Sequence, residues 1–199
     1  MSDRSDRQRN FNASYDGTPP WDIGRPQPEF IALEAEGRVG TSVLDVGCGT
    51  GEHALFFADR GHEVLGLDSA PAAIAKARLK AQQQASTARF IVGDALDLSA
   101  LDATFDTVID CGFFHVLDDD ERVRFARSIH QVLMPGGIYS MLVFSDREPP
   151  GYGPRRVTRN EILDTFSHRF TVEAIRPAVF ETLLPTGDVA GWLARIRRD

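Results

Sequence analysis

Three glycines, Gly47, Gly49 and Gly51, stand between a short β-branched run and a helical segment. Glycine at alternate positions lets the backbone turn tightly and lie close to a ligand. The helix behind them offers free N–H groups and a partial positive charge at its start. A dinucleotide fingerprint would need its third glycine at position 52, where this chain has Glu52, whose carboxylate repels a pyrophosphate. No Gly-Lys-Ser/Thr follows, so a phosphate loop fails too. The expected ligand therefore lacks a pyrophosphate. Asp68 closes the next apolar run, where a carboxylate can accept both hydroxyls of a ribose. Asp94 closes the one after and can accept from an exocyclic amine such as adenine N6.

Other residues have two readings each. Phe113 and Phe114 follow a fourth apolar run, where substrate pockets open in α/β folds, although one of them can equally be core. His115 is either a general base, with an unperturbed pKa of about 6.5, or a cap for the next turn. His53 is placed to reach a ligand carboxylate. Trp21 either touches the ligand or anchors its own loop. Arg147, Arg155 and Arg156 flank a Pro/Gly loop and are either solvated or facing an anionic substrate. Cys48 and Cys111 read as small buried fillers rather than nucleophiles. No His/Cys/Asp/Glu cluster has metal-ligand spacing, so no metal residues are assigned.

The elements that must position these groups alternate. Strands are predicted at 42–46, 62–67, 89–92, 107–110 and 138–144, with helices at 52–60, from Ser69 to about Gln84, and at 118–133. Ser69 is expected to cap the second of these helices, with Pro71 in its first turn. A helix over 158–166 and an antiparallel pair, 170–176 with 191–197, close the chain. Strands alternating with helices imply a mostly parallel sheet covered on both faces. Upstream, residues 1–14 are polar and predicted to be disordered. Four of the eleven prolines fall between Pro19 and Pro28, so residues 15–40 read as a Pro-stiffened segment with a short helix near its end.

VLDVGCGTG, VLGLDSAPAAIAKAR, VGDA and VLMPGG, in this order at strand ends, resemble the class I S-adenosylmethionine-dependent methyltransferases over roughly residues 41–144. The resemblance implies a single domain over 1–199. Its fold is a Rossmann-like three-layer sandwich whose seven-stranded sheet has an antiparallel last strand. It implies S-adenosyl-L-methionine as cofactor, with Asp45, Gly47, Gly49 and Gly51 lining the methionine part and Asp68 holding the ribose. Gly93, Asp94 and Ala95 would flank the adenine, and Trp21, Cys48, His53, Ser69 and Cys111 complete the expected cofactor set. PPWDIGRPQPEF is similar to the start of thiopurine S-methyltransferases, thiol and halide methyltransferases, and methyltransferases of heterocyclic toxins and quinones. In that group the N-terminal segment closes over the cofactor, which would make residues 15–40 a lid. Phe113, Phe114 and Tyr152 are the expected acceptor contacts, and His115 the candidate catalytic group.

Composition sets the outer bounds. The chain has 199 residues and a formal net charge of -7, which argues against a nucleic-acid partner. Its charged N-terminus has no apolar h-region and no apolar run reaches membrane-spanning length, so a cytoplasmic monomer or homodimer is expected. The expected acceptor is a small nucleophile: a thiol, a halide or an acidic hydroxyl. Two alternatives stay open. A nucleobase methyltransferase would usually carry (Asp/Asn)-Pro-Pro-aromatic after the fourth strand, where this chain has Asp110-Cys111-Gly112-Phe113. A silent cofactor-binding protein would keep the glycine loop without turnover.

Overall fold

A computed structural model describes residues 4–149, 151 and 153–199. The helices are α1 (Arg4–Ser14), α2 (Pro28–Ala35), α3 (Glu52–Asp59), α4 (Pro71–Gln83), α5 (Asp119–Val132) and α6 (Arg159–Thr165). The strands are β1 (Ser42–Val46), β2 (Glu63–Asp68), β3 (Arg89–Val92), β4 (Phe105–Cys111), β5 (Leu133–Phe144), β6 (Phe170–Phe180) and β7 (Val189–Arg198). They form one seven-stranded sheet in the order β3-β2-β1-β4-β5-β7-β6. β1 pairs in parallel with both β2 and β4, while β7 runs antiparallel between β5 and β6. The expected Rossmann-like sheet with its antiparallel last strand is thus the observed one.

The chain starts at the centre of the sheet, builds outward through β2 and β3, then returns to lay β4 on the other side of β1. Strand order reverses between β1 and β4, and such a switch point leaves a crevice at the strands' carboxyl ends. β1 is buried along almost its whole length, which is why it reads as a continuous apolar run around Asp45. One face of the sheet is covered by α2, α3 and α4, with Phe30, Phe57 and Ile74 fully buried. The other carries α5 and α6, with Phe125, Ile129 and Phe166 equally buried. Side chains of this size each contribute about 1.5–3 kcal/mol on burial.

Three expectations change. Residues 4–14 form α1 and not a disordered tail. The helix has little apolar surface, but polar side chains tie it down. Arg7 donates to the Val116 carbonyl at 2.9 Å and pairs with Glu121. Gln8 donates to the Ser69 carbonyl at 3.2 Å, and the Asn12 side chain accepts from Ala72 N at 3.0 Å. Composition weighs burial and misses such docking onto a helix start. Ser69 does not cap α4: the N-cap is Ala70, whose N–H is taken by the Asp68 carboxylate at 2.8 Å. Finally, Met134–Gly137 is a bulge inside β5, because Phe105 pairs with Leu133 while Thr107 pairs with Ile138.

Candidate functional site

A cavity of about 1380 Å³ opens at the switch point, above the carboxyl ends of β1, β2 and β4. Ligand pockets usually span ~300–1,000 Å³, so this one has room for two molecules side by side. Its floor is the glycine loop. Gly47, Gly49 and Gly51 all have left-handed backbones, with φ of 67°, 53° and 88°. A Cβ on Gly47 would stand 3.0 Å from Phe113, and one on Gly51 would stand 2.7 Å from the Phe90 ring. Cys48 N donates to the Leu67 carbonyl at 3.0 Å, and Gly49 N donates to the Asp68 carboxylate at 2.9 Å. The loop is therefore held to the end of β2 before any ligand arrives.

Each Asp68 oxygen accepts one backbone N–H, from Gly49 and Ala70, and keeps a second lone pair. Burial raises its pKa, against the pull of these hydrogen bonds. Asp45, on the next strand, is almost completely buried behind the wall and is not part of the cavity lining. Its Oδ2 has no hydrogen-bond partner among the described residues. Burial, then the neighbouring Asp110 and Asp68, hold its pKa well above the ordinary carboxylate range. Three carboxyl groups converge at adjacent strand ends, where burial and proximity resist their ionisation and a positively charged ligand beside them would favour it.

Asp110 is the best-used of the three. It accepts from Phe113 N at 2.6 Å, Phe114 N at 2.9 Å and the Tyr139 hydroxyl at 2.8 Å. Burial pushes its pKa up to about 7, opposed by these donors. This pinning sends consecutive aromatics to opposite sides. Phe113 lines the cavity. Phe114 is fully buried in the core between Phe125 and Phe166, under the Arg122 guanidinium, so it is not an acceptor contact.

Both candidate histidines are buried and lowered by that burial, His53 to about 4 and His115 to about 3. His53 Nε2 accepts from Gln27 N at 3.1 Å, and the ring sits edge-on to Phe30. It fixes the start of α2 against α3, although it also lines the cavity. His115 Nδ1 accepts from Phe144 N at 3.1 Å.

The remaining expected positions divide clearly. Trp21, Cys48, Ser69, Gly93, Asp94, Ala95 and Cys111 all line the cavity. Asp94 Oδ1 also accepts from Leu96 N at 3.0 Å. Tyr152 lies outside the described residues. Of the loop arginines, Arg155 lines the cavity but pairs with Asp119 and Glu161.

Several wall residues were not anticipated. The Tyr15 hydroxyl accepts from Trp21 Nε1 at 3.1 Å and lies 3.0 Å from where a Gly49 Cβ would be. Lys80 donates to the Thr50 hydroxyl at 2.8 Å, and that hydroxyl donates to Asp22 at 2.9 Å, which buckles the N-terminal segment to the glycine loop. Phe144 and Phe180, from β5 and β6, join Phe113 as aromatic lining of the cavity, and both pack on His115. Nothing local in sequence marks Phe144 or Phe180, since sheet pairing through β7 brings them together.

A family model described as "Methyltransferase domain" matches residues 43–137. The 2-heptyl-1-hydroxyquinolin-4(1H)-one methyltransferase of Mycobacteroides abscessus is 35% identical over 225 residues, covering 96% of this chain and 98% of that protein. Among solved structures, one describing conversion of a disulfide bond into a thioacetal group during echinomycin biosynthesis superposes with a TM-score of 0.90 at 37% identity, covering 97% and 93% of the two chains. The Burkholderia thailandensis 1,6-didemethyltoxoflavin-N1-methyltransferase, solved with its substrate and S-adenosylhomocysteine, superposes with a TM-score of 0.76 at 25% identity, covering 96% and 87%.

Proposed function

This chain belongs to the class I S-adenosylmethionine-dependent methyltransferases that modify small molecules, and from that premise we propose that its acceptor is a flat heteroaromatic with an already acidic hydroxyl. The observation that carries this reading is that Phe113, packed against Gly47, and Phe144 and Phe180 beside His115 line the same cavity as the glycine loop. Aromatic walls bind flat rings by area, while a few polar groups set orientation. The hydroxyquinolone relative, similar over nearly its whole length, supports the same choice.

The residues fit the cofactor. The glycine backbones leave space that any Cβ would fill, and the second lone pairs of Asp68 suit the two ribose hydroxyls. The acidic strand ends complement a ligand whose sulfonium and ammonium are both positive. We assign Gly47, Gly49 and Gly51 to the methionine part, with Asp45 behind the loop. We assign Gly93, Asp94 and Ala95 to the adenine. When bound, the sulfonium supplies the methyl group for in-line displacement. The protein's part is alignment and exclusion of water, for which Trp21, Tyr15 and Arg7 on the cavity rim are placed. We take the chain to work in the cytoplasm, as a monomer or homodimer, without nucleic acid or membrane. No helix among the described residues is long and apolar enough to cross a membrane.

Asp68→Ala is expected to weaken S-adenosylhomocysteine binding by at least ~1.5–3 kcal/mol, the worth of hydrogen bonds to a charged group. Calorimetry on the folded variant checks this, and an unchanged dissociation constant would put the ribose elsewhere. The acceptor reading is tested with labelled S-adenosylmethionine against hydroxyquinolones, phenols, thiols, iodide and reduced quinones. Hydroxyquinolones are expected to give the highest kcat/KM. Faster transfer to thiols or iodide overturns the reading.

A further inference from the structure

His115 is the middle residue of the short turn at 114–116 and lines the cavity. Its Nδ1 accepts the Phe144 N–H at 3.1 Å, so in the neutral ring the proton sits on Nε2. Nε2 lies on the side of Gly112, 3.2 Å from where a Cβ of that residue would stand, and Gly112 itself lines the cavity. The ring cannot swing away, because Phe144 meets it edge-on at 4.8 Å and Phe180 lies 5.9 Å from it at 32°. A bulkier residue at 112 would cover the same nitrogen, so the glycine there keeps it open.

The charged groups that act most strongly on this ring are cations. Arg122 comes from α5 and Arg156 from the loop after β5, while β5 and β6 present only Phe144 and Phe180. Arg122 is nearly fully buried. Its Nη1 donates to Glu161 at 2.9 Å, and its Nε and Nη2 have no hydrogen-bond partner among the described residues. Glu161 is shared with Arg155. Positive charge from Arg122 therefore stands behind this ring, although Asp118 and Glu121 at the start of α5 also line the cavity.

We propose that His115 is a positioning residue that presents Nε2–H to the oxyanion of the acceptor, and that Arg122 and Arg156 behind it make the pocket select acceptors arriving deprotonated. The proposal rests on the reading of the acceptor as an acidic heteroaromatic. It reverses the expected role of this ring, from taking a proton to offering one. No proton then moves within the site. The acceptor's oxygen lone pair forms the new O–C bond, the C–S pair returns to sulfur, and the acceptor's proton has already gone to solvent.

The test combines nitrogen NMR of histidine-labelled protein with kinetics of His115→Ala and His115→Gln on acceptors of graded pKa. The expected spectrum is a neutral ring protonated at Nε2 throughout pH 5–8. His115→Ala is expected to lower kcat/KM for an acidic hydroxyquinolone by about 10- to 100-fold, the value of one hydrogen bond to a charged group. His115→Gln, whose amide N–H can stand where Nε2–H stood, should recover most of that loss. The wild-type pH profile should follow the ionisation of each acceptor. Unchanged thermal midpoints and S-adenosylhomocysteine affinities establish that the variants are folded. A Gln variant as impaired as Ala, or an enzyme inflection near the ring's own pKa that disappears in Gln, would make His115 a base and overturn the proposal. An unaffected Ala variant overturns it as well. If the acceptor screen selects thiols instead, the acceptor reading fails separately, since the NMR result does not depend on the acceptor.

Discussion

Gly51→Val is expected to abolish S-adenosylhomocysteine binding, weakening it by more than ~100-fold, and to lower the thermal midpoint. Two costs act together. At φ 88° any L side chain is strained, by about 1–3 kcal/mol. A Cβ there would also stand 2.7 Å from the Phe90 ring and 3.1 Å from Ala77 Cβ, and overpacking costs about 1–3 kcal/mol more. Neither obstacle can give easily, because Phe90 is buried in β3 and Ala77 in α4. The loop must shift instead, and it carries both the Gly49 N–H bound to Asp68 and the cavity floor. Gly49→Ala makes the contrast. Its backbone, at φ 53°, is strained by a side chain too, but its Cβ would meet only the end of the Tyr15 side chain, at 3.0 Å, so the loss should be smaller than for Gly51→Val. Calorimetry and thermal denaturation of both variants check the pair. Equal affinities for Gly51→Val and wild type would refute the assignment of the loop.

Asp110→Ala should destabilise the fold more than any other single change at the site. It would leave Phe113 N, Phe114 N and the Tyr139 hydroxyl without their acceptor in a fully buried position. An unsatisfied buried donor costs about 1–3 kcal/mol, so with some relief by relaxation the loss is on the order of 4 kcal/mol. That is a large share of the ~5–15 kcal/mol by which a domain is stable. Tyr139→Phe removes one donor and leaves the other two paired, and should cost about 1 kcal/mol. Urea denaturation gives both values. A loss under ~1 kcal/mol for Asp110→Ala would mean the turn is held by packing alone.

Asp110 also marks where the sequence was readable and where it was not. The glycine loop and the strand-end Asp68 and Asp94 could be located because the fold requires those residue types at those spacings. Strands 42–46 and 89–92 match their observed bounds, the first as a buried continuous apolar run and the second as a short β-branched and aromatic run at the sheet edge. Asp110 looked isolated because its three partners are backbone groups just ahead and a tyrosine on the neighbouring strand. The same blindness to pairing hid Phe144 and Phe180, which meet His115 only after β7 has brought β5 and β6 together. Phe113 and Phe114 were indistinguishable because a one-residue step around a tight turn reverses direction. Helix α1 escaped notice because its docking uses amide and guanidinium groups, which hydropathy counts as reasons for disorder.

The cavity wall also divides along the chain. Apart from Cys111, every position assigned to the cofactor precedes residue 96, whereas Phe113, His115, Phe144 and Phe180 all follow residue 111. On the proposed assignment, the two specificities are written in separate stretches of the chain. Changes downstream can retune which molecule is methylated while the machinery for the methyl donor is inherited intact. A lineage can diversify its acceptors in small steps without passing through forms that bind no cofactor. Gly153 and Pro154 after β5, and Phe180 at the end of β6, all of which line the cavity, are where such divergence is expected.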